Sequence, residues 1–125
     1  ATLGELQVLR RSGPAVHALA FSRVAPILAL ADVTGQLQVW NTDTHTLLWE
    51  KRIGSVSSLC WSPDGRYLAA GEYYGDIVVF EDQQVRCSWH SVSGEVLALC
   101  YSPDGRFLYS GHKNTTVLAW EMKNN

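Results

Sequence analysis

Ser62-Pro63-Asp64-Gly65-Arg66 recurs forty residues later as Ser102-Pro103-Asp104-Gly105-Arg106. A Pro-Asp-Gly core between apolar runs is a turn with a mechanism. Proline presets φ at the first turn position, aspartate bonds its own backbone, and glycine takes positive φ at no steric cost. One such turn predicts a β-hairpin. Two at a fixed spacing predict a repeat.

Outward from the turns the period holds. Val16, Val56 and Val96 are in phase, as are Leu19, Leu59 and Leu99. Phe21, Trp61 and Tyr101 follow, each with a serine behind it (Ser22, Ser62, Ser102), then Leu28, Leu68 and Leu108, then Trp40, Phe80 and Trp120. Leu9, Trp49 and Trp89 carry the phase into the outer segment, and the alignment needs no gap.

Within each period the residues predict four short strands. The first repeat has them at 16–21, 27–31, 36–40 and 46–49, with turns rich in Gly, Pro, Asn or Asp between. The second has them at 56–61, 67–71, 76–80 and 85–89, and the third at 96–101, 107–111 and 116–120, without a fourth. The turn at 23–26 lacks the Asp-Gly pair, so a less regular hairpin is expected there. No segment carries a helical period. Ile77-Val78-Val79-Phe80 is apolar at successive positions, which predicts a strand buried on both faces. The fourth strands mix polar with apolar residues, as an outer edge does. Small antiparallel sheets buried on both faces, with polar outer strands and a strict period, describe all-β propeller blades stacked face to face.

Bulk properties narrow the function classes. The 125 residues suffice for one domain, and 46% hydrophobic content suffices for a core. A net charge of −2 argues against a nucleic-acid or anionic-membrane surface, which needs a basic excess. Arg10-Arg11 and Lys51-Arg52 read as solvated strand ends. Cys60, Cys87 and Cys100 form no disulfide-like pattern. Cys60 and Cys100 share a repeat position with Ala20, so they read as small buried hydrophobes of a reducing compartment, cytoplasmic or nuclear. No run reaches transmembrane length, and residues 1–11 lack the apolar core of a signal peptide.

Catalytic signals are weak. Neither a Gly-x-Ser-x-Gly elbow nor a Gly-rich phosphate loop is present. Cys87 and His90 have a metal-like spacing but no second pair, and His17 and His112 have no acidic orienter close in sequence. Ser62, Ser102, Asp64 and Asp104 are explained by the turns themselves. Neither catalytic, cofactor nor metal residues are therefore assigned. The repeated aromatics Trp40, Trp61, Trp120, Phe80 and Tyr101 read as core between blades rather than a base-stacking platform. Tyr73-Tyr74 precede Gly75 in a turn that demands no aromatic, and serve either a partner or packing on the adjacent blade.

The pattern Val-x-x-Leu-x-aromatic-Ser, Pro-Asp-Gly, a Leu-containing strand, a Gly turn and a terminal Trp or Phe resembles the WD-repeat β-propeller family over essentially the whole chain. The signature Trp-Asp dipeptide is present only as Trp40-Asn41, Phe80-Glu81 and Trp120-Glu121, and the usual Gly-His pair is absent from all three repeats. Of the family's His–Ser–Asp–Trp network the third repeat offers Ser110 and Trp120, with Asn114 at the acid's position, so packing carries the blades. The resemblance implies a protein–protein interaction scaffold, not an enzyme, that binds protein or peptide partners on the top face around a central channel. It places there the residue after each first-strand valine (His17, Ser57, Leu97), the residue before it (Ala15, Ser55, Glu95), and the turn residues Val33, Tyr73 and Lys113. A purely architectural role is the alternative.

The chain divides into an orphan outer strand at 1–11, around Leu6-Gln7-Val8-Leu9-Arg10, and blades at 12–51, 52–91 and 92–125, the last lacking its outer strand. Three blades do not ordinarily close a ring. Two expectations stay open: two copies form a six-bladed ring, each lending its first strand to the other's third blade, or further blades of a longer chain complete it.

Overall fold

The computed structural model describes residue 4 and residues 13–123; the expected orphan strand at Leu6-Gln7-Val8-Leu9-Arg10 lies outside the described residues. The described chain is all-β, with eleven strands. Blade 1 comprises β1 (Val16–Phe21), β2 (Ile27–Asp32), β3 (Gln36–Asn41) and β4 (Thr46–Arg52). Blade 2 comprises β5 (Val56–Trp61), β6 (Tyr67–Glu72), β7 (Asp76–Glu81) and β8 (Gln84–His90). Blade 3 has β9 (Val96–Tyr101), β10 (Phe107–His112) and β11 (Val117–Glu121). Every sheet is antiparallel and keeps chain order from inner to outer strand, so the connections are hairpins.

The Pro-Asp-Gly turns work as their chemistry requires. Ser62 N–H donates to Tyr67 O at 2.8 Å and Gly65 N–H to Ser62 O at 2.9 Å, with Gly65 at φ 74°. The Ser62 hydroxyl donates to Asp64 Oδ1 at 2.6 Å and accepts from Tyr67 N–H at 2.9 Å. Ser102, Asp104 and Phe107 repeat both bonds. In blade 1 the Ser22 hydroxyl accepts from Val24 N–H at 3.3 Å instead, inside the turn rather than across the hairpin.

Period-2 alternation sends neighbouring side chains to opposite faces, and both faces of blade 2 are used. Val56, Leu59, Leu68, Ala70 and Phe80 meet Ala29, Ala31, Leu37 and Val39 of blade 1. On the other face Ala69, Ile77 and Val79 meet Val96 and Leu108 of blade 3. β7 is thus buried on both sides, as its apolar run predicts, and each fully buried Ile, Val or Phe contributes about 1.5–3 kcal/mol. The innermost strands carry the blade-to-blade contacts, β1 against β5 and β5 against β9.

Two sequence expectations need correction. The repeat is not gapless at the fourth strand. Trp49 stands opposite Val39, whereas Trp89 stands opposite Ile77, the counterpart of Leu37. Residues 42–45 separate β3 from β4 but only Asp82 and Gln83 separate β7 from β8, and the later loop from β8 to β9 restores the phase. Sequence alignment keeps tryptophan on tryptophan; the backbone register differs. Both rings nonetheless reach the following blade, Trp49 tilted against Phe80 at 6.3 Å and Trp89 stacked on Trp120 at 5.2 Å. Trp40, expected in the core between blades, is half-buried on the face of blade 1 turned away from blade 2. Its Nε1–H donates to Gln38 Oε1 on the same strand at 3.2 Å.

Candidate interaction face

The first strand of each blade contains a β-bulge at the same place. Val16 pairs with Asp32 and Ala18 with Ala31, leaving His17 as the extra residue. Ser57 is the extra residue between Val56 and Ser58, and Leu97 between Val96 and Ala98. A bulge kinks its strand and re-aims the extra side chain. Directly above, a backbone bond ties the turn to the approach of each first strand. Val33 N–H donates to Ala15 O at 3.0 Å, Tyr73 N–H to Ser55 O at 2.8 Å, and Lys113 N–H to Glu95 O at 2.9 Å. Each of the three blades therefore carries its named residues on one rim, built by one device.

The members of this rim differ in availability. His17, Val33, Tyr73, Leu97 and Lys113 are exposed, and Glu95 is half-buried. The Tyr73 and Tyr74 rings meet each other edge-on at 5.1 Å and both stay exposed. Ser57 is occupied: its hydroxyl donates to the Val96 carbonyl of blade 3, with Gly71 O also in reach at 3.3 Å. It clamps two blades together.

One repeat column escaped the sequence reading: Asp32, Glu72 and His112, each closing a second strand. Asp32 Oδ1 accepts from Thr34 N–H at 2.9 Å, Thr34 Oγ1–H at 2.6 Å and Gln36 N–H at 3.2 Å, so it shapes the turn below Val33. The Glu72 carboxylate fits where Gly54 has no side chain; a Cβ there would stand 1.8 Å from Oε1. Burial raises its pKa first, the neighbouring Asp76 charge raises it further, and the Gly54 N–H bond partly offsets both.

His112 completes a network that the sequence was expected to leave incomplete. Trp120 Nε1–H donates to Ser110 Oγ at 2.9 Å, Ser110 Oγ lies 2.8 Å from His112 Nε2, and His112 Nδ1 lies 2.9 Å from Gly94 O. The carbonyl only accepts, so Nδ1 carries the proton, and Nε2 accepts from the serine hydroxyl. Asn114 does not enter this chain; its Oδ1 accepts from Thr116 N–H at 3.1 Å in the turn. The signal was a histidine two residues after the buried serine, on the same strand face.

Two of the three thiols are held quiet, while Cys100, expected to be a small buried hydrophobe, is exposed on the face of blade 3 turned away from blade 2. Burial, then the nearby Cys100, pushes the Cys60 thiol up to about 12, and burial raises Cys87 as well. Thiols held protonated are poor nucleophiles. His90 Nδ1 contacts Asp76 Oδ1 rather than Cys87. Among the described residues no group of three or more His, Cys, Asp or Glu is placed to hold a metal. The opposite end of the blades is wrapped up in its own turns. Asp64 is kept below the usual carboxylate range, first by the Ser62 hydroxyl and then by Arg66 N–H. Arg66 pairs with Glu81 at 2.8 Å and lies over the Tyr67 ring. Arg106, Glu121 and Phe107 do the same in blade 3.

Comparisons with known proteins agree with this architecture. Residues 19–93 match the family model described as the anaphase-promoting complex subunit 4 WD40 domain, and residues 81–121 match the WD domain, G-beta repeat. A solved structure titled "Structure of U3-55K" is similar with a TM-score of 0.85 at 21% identity, covering 92% of this chain and 38% of that one. The chain thus spans well under half the length of that structural relative. None of the curated proteins matches.

Proposed function

Because the chain belongs to the WD-repeat β-propeller family, we propose that it is a protein–protein interaction scaffold that binds protein or peptide partners on its bulged rim. The observation that carries this reading is the triple bulge. A rigid, buried strand system presents His17 and Leu97 at the heads of blades 1 and 3, with the bulged Ser57 clamping blade 2 to blade 3, beside turn residues fixed by the same backbone bond. Rigid placement lowers the entropy lost when a partner docks. Tyr73, Leu97 and Lys113 carry the binding in this reading: the exposed Tyr73 ring is the residue type that anchors interfaces, Leu97 adds apolar area, and Lys113 supplies a cation for the polar rim. The module binds rather than catalyses. An intracellular location belongs to the same reading, supported by three free thiols.

The test is a triple variant, Tyr73→Ala with Leu97→Ala and Lys113→Ala, used as bait beside the unsubstituted chain in a pull-down. Partners retained by the unsubstituted chain are expected to be lost from the variant, while its melting temperature stays within about 2 °C because exposed residues contribute little to stability. Retention of the same partners by the variant moves the site to the side or to the Pro-Asp-Gly end.

A second reading is architectural, with blades assembling into a larger ring. Its specific support is an apolar surface left open on blades 1 and 3, with Leu19, Phe21 and Val117 among its exposed members.

A further inference from the structure

The same rim turn is completed differently in the three blades. In blade 1 it runs from Asp32 to Gln36, and a cation of the chain itself is seated on it: Arg52 Nη1–H donates to Thr34 O at 2.7 Å. Arg52 reaches the turn from the outer strand, where it pairs with Gln36. In blade 2 the counterpart of Gln36 is Asp76, and the residue paired with it is His90. His90 Nδ1 contacts Asp76 Oδ1, and an imidazole lacks the fork of donors with which a guanidinium spans a turn. The turn of blade 3, residues 112–116, has no acid and brings its own cation, Lys113.

The turn of blade 2, Glu72-Tyr73-Tyr74-Gly75-Asp76, has the reverse charge, with two carboxylates and no Lys or Arg. The carboxylates oppose each other, since the Asp76 charge adds to burial in raising the Glu72 pKa. Beside them stand the rings of Tyr73 and Tyr74, both exposed, Tyr74 at 77%. One tight turn holds all four side chains together: Gly75 N–H donates to Glu72 O at 3.1 Å. Electron-rich ring faces and paired carboxylates share one complement, a cation. A flat guanidinium serves both, stacking on a ring while its N–H groups reach the acids. Blade 2 has a blade packed on each face, so this turn stands on the rim whatever lies beyond either end of the chain.

We propose, resting on the rim reading above, that the blade 2 turn binds an arginine side chain of a protein partner. Its guanidinium lies against the Tyr73–Tyr74 pair and bonds Glu72, Asp76 and the carbonyl of Tyr74, which holds the place of Thr34. Blade 1 fills that place from within the chain, and blade 2 takes its cation from outside. With Lys113 on the next turn, the rims of blades 2 and 3 carry opposite signs, so a partner is read in one direction.

The probes are the pentapeptide acetyl-Gly-Gly-Arg-Gly-Gly-amide and its counterparts with citrulline, lysine or glutamate at the centre. Each is titrated at millimolar concentration into the isotope-labelled 125-residue chain and followed by amide NMR signals. The arginine peptide is expected to move the signals of residues 72–76. Citrulline, close in shape but uncharged, is expected to bind about tenfold more weakly, and glutamate to leave those signals in place. Glu72→Gln with Asp76→Asn keeps the side-chain shapes and is expected to erase the preference for arginine over citrulline. Tyr74→Ala is expected to weaken both, and the rest of the amide spectrum shows that each variant is folded. Equal affinity for arginine and citrulline, or a preference that survives the double substitution, overturns the proposal. Lysine as tight as arginine overturns the guanidinium assignment. No movement at residues 72–76 overturns the site, whereas the rim reading stands or falls separately on the pull-down.

Discussion

Blades 2 and 3 are built from nearly the same pattern and have opposite surroundings. Ile77 and Val117 occupy equivalent strand positions; Ile77 is fully buried and Val117 is 71% exposed. The Phe80 position in blade 2 is apolar and carries nothing to satisfy, and Ser110's column there holds Ala70, two residues beyond Phe80's cross-strand partner Leu68. In blade 3 the column changes as a set: Trp120 brings an indole N–H, and Ser110 and His112 arrive to receive it. The difference teaches that Trp120's donor comes together with its acceptor, because a buried donor without a partner costs more than no donor at all. It also teaches that burial belongs to a position's neighbours, not to its residue type.

The sharpest way to break the comparison is to truncate the paired positions. Ile77→Ala is expected to cost about 2–5 kcal/mol by chemical denaturation, and Val117→Ala under about 0.5 kcal/mol in the single-copy state. Equal losses would mean that Val117 is covered in solution. Next comes the network. Ser110→Ala leaves both Trp120 Nε1–H and His112 Nε2 without their partner, and is expected to cost about 1–3 kcal/mol. The double variant with Trp120→Phe, which imitates blade 2, should recover part of that loss. If it recovers nothing, the serine acts by volume rather than by hydrogen bonding. The smallest effect concerns the turn after the second strand. Gly35 and Gly75 have φ 92° and 97° there, and blade 3 holds Thr115 at φ 76°, strained for a β-branched residue. Thr115→Gly is expected to raise stability by about 1 kcal/mol, read as a small rise in melting temperature.

Much of the fold was legible because the signals were local. Apolar alternation and turn residues placed the strands near their observed limits, and Pro-Asp-Gly placed the hairpins of blades 2 and 3. The named rim residues were placed by resemblance; that they sit on bulges was not readable, since a bulge has no residue signature when the extra position holds His, Ser and Leu in turn. Non-local facts escaped for different reasons. Trp40, Phe80 and Trp120 look alike in sequence, but Trp40 faces away from the rest of the described chain. His112 has no acid near it in sequence, and its partners are a serine two residues back and a carbonyl from the preceding loop, Gly94 O. The Trp49–Trp89 alignment failed because two tryptophans in phase outweigh a two-residue turn change that only pairing reveals.

That two-residue shift has a mechanical consequence. The hairpin between β7 and β8 is shorter than its counterpart in blade 1, and the loop from β8 to β9 is longer, yet the next first strand begins in step. Each outer strand thus behaves like a sliding joint, absorbing a change in chain length before it reaches the inner strands where blades touch. Chain added or removed around residues 82–83 can therefore be taken up at the circumference, leaving the hub undisturbed.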